Sequence, residues 1–384
     1  MVFRVLIDQI VICIQKLLLI MENRVIFHID FDYFYAQCEE IRNPELKTKP
    51  VAVCIFSDRG DDSGAIATAN YKAREYEVKS GIPIKFAKSR LKDRQDAIFL
   101  PADFDYYSQI SSNAMDIIKS FADVFEYVGR DEAFLDVTLK TKNDFQNAGH
   151  IAQQLKNEIR QKLKMTCSIG VSPNKLLSKI ASDYEKPDGL TIVKPEYTVN
   201  FLSKLEIRSI PGIGKKTELI LGEMNCKKIE DLLNLDFFEI TNKFGRKTGT
   251  YIYNAARGID LEPVKEKQPS IQFSKIITLK KNSKNFEFLR ENLLKLCKQV
   301  HDISVNKHQM FRSVGIQFVN EDLTMKTKSK MLRNPTVNLE ELEKATEQLL
   351  LDALDEQELL IRRLGVRISD LSDMEGQSSI TSYF

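Results

Sequence analysis

The feature that most narrows what this chain can fold into is a short run, Val25 to Ile29, that leads directly into Asp30. An apolar stretch of that length suits a buried strand, and an acid at its C-terminal end is a carboxylate carried to the edge of a sheet. Much further along, Val124 to Val128 and Ala133 to Thr138 flank Gly129-Arg130-Asp131-Glu132 as the strands of a hairpin flank its turn, so a second pair of acids falls at a turn. Helical patterns over 106 to 121 and Asn143 to Leu163, a strand over Met165 to Val171 and a helix opened by Pro173 complete the pattern. Together they predict one sheet with helices on one side, a palm-like α+β module.

Between the two acidic sites, a helix over Phe34 to Arg42, strands over Val51 to Phe56 and Ala65 to Ala69, and a charged helix from Tyr71 to Val78 that stops at Gly81 and Pro83 read as a small α+β insert. From about 190 to 262 the pattern is short helices punctuated by glycines. From about 271 strands and helices return, with VKEKQPS (264 to 270) as the linker. A length of 384 residues accommodates two to four such modules.

Composition excludes two classes: with 43% hydrophobic and 29% charged residues, the chain is neither largely disordered nor membrane-embedded. The net charge of +2 conceals a strong asymmetry. Residues 271 to 333 hold 13 Lys/Arg against 5 Asp/Glu, whereas 339 to 360 hold 1 Lys against 8 Asp/Glu. One surface is therefore suited to anions and another is not. The six cysteines are dispersed, with no CxxC and no adjacent histidine, so reduced structural thiols and a cytoplasmic or nucleoid setting are expected. Residues 1 to 20 are apolar but interrupted by Asp8, Gln9, Gln15 and Lys16, too short for a span and without a cleavage site. Translation is expected to begin at Met21; an amphipathic surface helix is the alternative.

Phosphoryl transfer to a hydroxyl uses two divalent cations roughly 3.5–4 Å apart, held by a few carboxylates that leave room for phosphate oxygens. Asp30, Asp131 and Glu132 could form that set, although by spacing alone a solvated acidic turn is an equally open reading. The segments around them decide between the two. HIDFDYFYAQCEE around Asp30 resembles the first polymerase motif of the DinB-like Y-family DNA polymerases. SGAIATANYKAR, DEAFLDVT, CSIGVSPNKLLSKIASDYEKPDG and PGIG follow in the family's order. The resemblance runs from about residue 24 to the C-terminus and is strongest to archaeal members.

The resemblance implies an α+β multidomain, right-hand polymerase: an N-terminal extension at 1–23, palm at 24–33 and 101–188, small fingers at 34–100, a helical thumb at 189–262, a linker at 263–270, a little finger at 271–370 and a tail at 371–384. It implies low-fidelity, template-directed DNA synthesis past damaged bases by a monomer working on primer-template DNA and deoxynucleoside triphosphates. Asp30 and Asp131 bridge two Mg²⁺ ions, for which Mn²⁺ can substitute, Glu132 completes the site and the Phe31 carbonyl helps hold the nucleotide-associated metal. Tyr71, Arg74, Thr68 and Lys186 match contacts to the incoming triphosphate. Tyr35 matches the steric gate, an aromatic ring lying where a ribose 2′-hydroxyl would project; its alternative role is core packing. Ala65 and Ala67 match the small residues above the nascent base pair.

Gly212 and Gly214 in the PGIG turn, followed by Lys215 and Lys216, resemble a helix-hairpin-helix whose backbone N–H groups bind a DNA phosphate. The last eight residues, QSSITSYF, match a clamp-binding peptide with Gln377, Ile380, Tyr383 and Phe384 as anchors, which implies a sliding clamp of the archaeal or eukaryotic type. Gly129-Arg130 departs from the pattern, because the family usually has a serine and a small or apolar residue there. A guanidinium beside two carboxylates could steady them or contact substrate. Two competing readings have distinguishable consequences: a nucleotidyl cyclase pairs strand-end acids but needs neither a hairpin nor a clamp peptide, and a non-catalytic DNA scaffold has no need of three acids.

Overall fold

The computed structural model describes residues 24–57, 59–60, 62–266, 270–356 and 358–374. The opening segment and the four clamp-peptide anchors lie outside them. The chain divides into two compact units, one from the described residues of Met1–Cys54, Ile66–Ile82 and Ser89–Gln268, the other from those of Ile55–Ala65, Pro83–Lys88 and Pro269–Phe384.

The strands up to residue 192 are β1 (Ile26–Asp30), β2 (Val51–Phe56), β3 (Gly64–Ala69), β4 (Ile98–Pro101), β5 (Val124–Tyr127), β6 (Glu132–Asp136), β7 (Ser168–Ser172) and β8 (Leu190–Ile192). Five of them form the sheet β5-β6-β1-β7-β8, in which β1 runs antiparallel to both β6 and β7. Alternation along a strand sends successive side chains to opposite faces. One face therefore carries Phe27, Ile29, Ala133, Leu135, Ile169 and Val171, all buried, and packs against the helices Phe104–Ser120 and Phe145–Leu163. Those helices present buried residues at helical spacing, Tyr107, Ser111, Ala114 and Ile118 on the first and Ala148, Ala152, Leu155 and Ile159 on the second. Asp103 and Asp144 cap their N-termini.

The other face holds His28 and Asp30, and it is not left to solvent. The helix Lys175–Tyr184 lies across it so closely that a Cβ on Gly170 would stand 1.9 Å from the Ser178 carbonyl oxygen. The expectation of helices on one side is therefore corrected: the sheet is covered on both. The run Val25 to Ile29 conceals this because His28 is buried by a polar contact, not by hydrophobicity. The outer side of that third helix supplies Leu176, Leu177 and Ile180 to a second core, shared with short helices from Thr198 to Ala256.

β2 pairs with β4 in parallel and lies between β3 and β4 in a three-stranded sheet. The helix expected over Tyr71 to Val78 spans only Tyr71–Arg74. Glu77 adopts a left-handed conformation (φ 58°), and the buried Val78 donates its N–H back to the Ala73 carbonyl, a helix stop built without glycine.

In the second unit, β9 (Gln272–Ser283), β10 (Gln309–Asn320), β11 (Met325–Thr336) and β12 (Ile361–Asp373) form the antiparallel sheet β11-β10-β12-β9. The helices Phe286–Asn306 and Leu339–Asp355 pack on the face that carries Val314, Ile316, Phe318, Leu364, Val366 and Ile368. The acidic stretch is thus a two-faced helix whose Leu342, Leu349 and Leu350 enter the core. Among the described residues no helix is long and apolar enough to cross a membrane.

Candidate active site

The register of the central sheet brings the three acids to one end. Asp30 stands opposite Glu132 on β6 and opposite Ser168 on β7. The Phe31 N–H donates to the Asp131 carbonyl at 2.9 Å, which ties the end of β1 to the hairpin turn. Asp30 and Glu132 are same-face neighbours, and Asp131 is exposed at the tip.

Each acid has a distinct environment. Glu132 receives Lys179 Nζ at 2.7 Å, and His28 Nε2 lies 3.2 Å from the same carboxylate oxygen. His28 is buried and its Nδ1 is 2.7 Å from Ser182 Oγ; burial depresses its pKa and keeps it neutral. The His28 and Lys179 contacts, opposed by burial, hold Glu132 at about 2. Asp30 pairs with Lys186 at 2.7 Å, and Lys186 also reaches Asp183 at 2.7 Å. Burial opposes the charge on Lys186, but the two carboxylates outweigh it and raise its pKa. Asp131 is raised, first by desolvation and then by the charges of Asp30 and Glu132.

Among the described residues no three His, Cys, Asp or Glu side chains converge as a ready-made metal cluster. The reason is visible in the pairings: Glu132 is turned toward Lys179 and Asp30 toward Lys186. The donor set nevertheless fits a hard divalent cation. It is three carboxylates at one sheet end, one of them resisting ionisation because of desolvation first and the closeness of the other two second.

The second acid of the motif has a different role. Asp32 is 5% exposed and accepts from Ser168 Oγ at 2.6 Å, Thr166 Oγ1 at 2.9 Å and the Asp188 N–H at 3.0 Å. Its hydrogen-bonding capacity is committed to joining β1 to the Asp188 loop, so it is structural where Asp30 is accessible.

Asn70 organises the neighbouring cation site. Its Oδ1 accepts from the N–H groups of Val51 and Ala73, and its Nδ2 donates to Glu40 and to the Lys49 carbonyl. The short helix that it caps holds Tyr71 and Arg74 together, with the guanidinium 4.7 Å from the Tyr71 ring centroid. Arg74 donates to the carbonyls of Ala69 and Asp32, while the buried Tyr71 hydroxyl has no hydrogen-bond partner among the described residues. Burial raises the Tyr71 pKa and keeps it a phenol. Thr68 is buried three residues upstream of Tyr71 on β3, which also carries the half-buried Ala65 and Ala67.

Tyr35 stacks on Tyr107 (4.7 Å, 19°) and meets Phe104 edge-on (5.8 Å, 82°) while remaining half-buried. Arg130 does not lie over the carboxylates. Its Nε donates to Ser108 Oγ at 3.0 Å and its guanidinium is 5.5 Å from the Phe104 ring centroid. Gly129 is not required by the backbone, since its φ is not positive; a Cβ there would stand 3.4 Å from Asp131 Oδ1. Gly212 does adopt φ 83°, and Gly214 begins the helix Lys215–Glu223, whose N-terminus has no side-chain cap.

Sequence reasoning passed over His28, Lys179 and Ser182, which set the orientation of Glu132. It also passed over Arg363 and Arg367 on the face of β12 opposite the helices. That face carries Gln317, Thr327 and Ser329 on neighbouring strands, with glycines at 315 and 365. The available signal was the pair of strand-interior glycines, which mark close approach.

Comparison with known proteins agrees with this architecture. Residues 29–183 match the impB/mucB/samB family, 270–381 its C-terminal domain, and 208–260 a DNA polymerase-iota thumb domain. The chain is 67% identical to DNA polymerase IV of Nitrosopumilus maritimus over 95% of its own length and all of that protein. It is 39% identical to DNA polymerase IV of Methanosarcina acetivorans over 94% of its length and all of the relative. A solved chimeric Y-family DNA polymerase built from Dbh and Dpo4 superposes with a TM-score of 0.83 at 33% identity, covering 91% of this chain and 99% of that one. The insertion ternary complex of Dbh DNA polymerase gives 0.66 at 33% identity, with 91% and 99% covered. Identity along nearly the whole length, together with the shared fold, places the chain in the Y family of DNA polymerases, in its DNA polymerase IV or DinB-like branch, as a low-fidelity translesion DNA-directed DNA polymerase.

Proposed function

We propose that this polymerase adds deoxynucleotides to a primer 3′ end through Asp30, Asp131 and Glu132, which hold two Mg²⁺ ions, with the Phe31 carbonyl as a further ligand and Mn²⁺ as a substitute. The observation that carries the reading is the cross-strand pairing of Asp30 with Glu132 beside the Phe31–Asp131 tie. It gathers acids from two distant stretches at one sheet end. Bound there, the cations supply charge neutralisation at the α-phosphate and at the departing pyrophosphate. Lys186 brings a cation to the same acids, and the Tyr71 hydroxyl lacks a partner among the described residues. With Arg74 and Thr68 they bind the triphosphate. Primer extension by chelated protein on return of Mg²⁺ tests the reading.

Tyr35 acts as the sugar gate, and Ala65 and Ala67 leave room above the base pair. The Tyr35 ring is fixed on one side by Tyr107, itself buried with its hydroxyl donating to Glu39 at 2.6 Å, so it cannot yield to a 2′-hydroxyl. Tyr35→Ala is expected to raise ribonucleotide incorporation relative to deoxynucleotide by roughly 10- to 100-fold, read as the ratio of kcat/KM values. An unchanged ratio returns Tyr35 to core packing.

Primer-template DNA is held through phosphates by the uncapped helix at Gly212, Gly214, Lys215 and Lys216, and by the face carrying Arg363 and Arg367. The domain reading follows: palm at 24–33 and 101–188, fingers at 34–100, thumb at 189–262, linker at 263–270, little finger at 271–370 and tail at 371–384. Gln377, Ile380, Tyr383 and Phe384 tether a monomeric enzyme to a sliding clamp in the nucleoid-associated cytoplasm, an apolar-anchor mode of peptide binding.

A further inference from the structure

Arg130, in the acidic hairpin, points at the wall behind Tyr35. Its Nε donates to Ser108 Oγ at 3.0 Å, and the same hydroxyl donates to the Phe104 carbonyl at 2.7 Å, so a single serine links the hairpin to the backbone of Phe104. The guanidinium lies 5.5 Å from the Phe104 ring, and that ring meets Tyr35 edge-on at 5.8 Å. A second tie, Ser111 Oγ to the Arg130 carbonyl at 2.7 Å, fixes the hairpin tip on the same helix. Tyr35 also stacks on the fully buried Tyr107, which itself meets Phe104 edge-on at 6.3 Å. Of the three rings that pack against Tyr35 among the described residues, Phe34 and Tyr107 are buried in the core, and Phe104, 37% exposed, is the one that can move without opening it.

We propose that Arg130 is a positioning residue for sugar selection, holding Phe104 against Tyr35 and thereby coupling the metal-binding hairpin to the ring that excludes a ribose 2′-hydroxyl. The inference rests on the reading of Tyr35 as the gate. An edge-to-face ring contact and a cation over a ring face are each modest, so the effect is a graded loosening, not a switch.

The test is steady-state incorporation of a ribonucleotide and the matching deoxynucleotide by the full chain on primer-template DNA with Mg²⁺. Arg130→Ala and Phe104→Ala should each raise ribonucleotide kcat/KM by about 3- to 10-fold, with deoxynucleotide kcat/KM changed no more than about twofold. Arg130→Lys, which keeps a cation near the ring, should fall between. In a Tyr35→Ala background Arg130→Ala should add nothing. A gain for the wrong sugar cannot come from general damage to the site. If Arg130→Ala lowers both nucleotides in parallel, or leaves their ratio unchanged while Tyr35→Ala raises it, the coupling is overturned and the gate stands. If Tyr35→Ala leaves the ratio unchanged, the gate reading itself fails and the coupling with it.

Discussion

Asp131→Asn is expected to reduce primer extension by about a thousandfold or more, a loss of roughly 4 kcal/mol of transition-state stabilisation, while leaving the affinity for primer-template DNA within about twofold. The structural reason is that Asp131 is exposed at the hairpin tip, and its tie to the Phe31 N–H runs through its backbone carbonyl, which the substitution leaves in place. Its carboxylate adds negative charge beside Asp30 and Glu132, and desolvation first and that repulsion second raise its pKa. Neutralising it relieves that repulsion, so the apparent Tm should be unchanged or slightly higher. An inactive variant that also melts early would mean that the substitution damages the fold. A variant extending primers at near-normal rates would remove Asp131 from the metal site.

Gly170→Ala carries the second largest expected effect, and it acts through packing. The added methyl would meet the Ser178 carbonyl oxygen at 1.9 Å and the Ser182 N–H nitrogen at 2.4 Å, both backbone atoms that cannot rotate away. The helix Lys175–Tyr184 must lift off the sheet, at a cost of about 1–3 kcal/mol and hence an apparent Tm lower by roughly 2–10 °C. Lys179 and Ser182 ride on that helix, one holding Glu132 and the other His28. Extension should therefore fall together with stability, in contrast to Asp131→Asn, where the two separate. Thermal melting and extension measured on one preparation check both. Full stability in Gly170→Ala would contradict the close approach.

Much of the architecture is legible in the sequence, for reasons that differ between elements. Helices such as Phe145–Leu163 are legible because a strong 3.6-residue pattern meets a capping aspartate. The short helix at Tyr71 is overextended because its stop depends on a left-handed Glu77 rather than on glycine or proline. The covered second face of the sheet is illegible in Val25 to Ile29, where a histidine buried by hydrogen bonding counts as one more interior residue.

At the site, the motif order points to Asp30, Asp131 and Glu132, yet nothing in the local sequence separates Asp30 from Asp32, since both lie at the C-terminal end of the same apolar run. That distinction arises from Ser168, Thr166 and the Asp188 N–H, more than a hundred residues away in the chain and close only after folding. Arg130 illustrates the converse. Adjacency to two carboxylates leaves open a role in steadying them or in contacting substrate, whereas the hairpin geometry turns the guanidinium toward Ser108 and Phe104.

The assignment of three acids to one metal-dependent polymerase site is tested most directly by primer extension with the purified chain, the four deoxynucleotides and a template carrying an abasic position, before and after removal of divalent cations. The account predicts that chelated protein adds nothing, that Mg²⁺ restores templated extension, and that synthesis continues past the abasic position. Extension that persists in excess chelator, or Mg²⁺-dependent consumption of nucleotide without any lengthening of the primer, would contradict it.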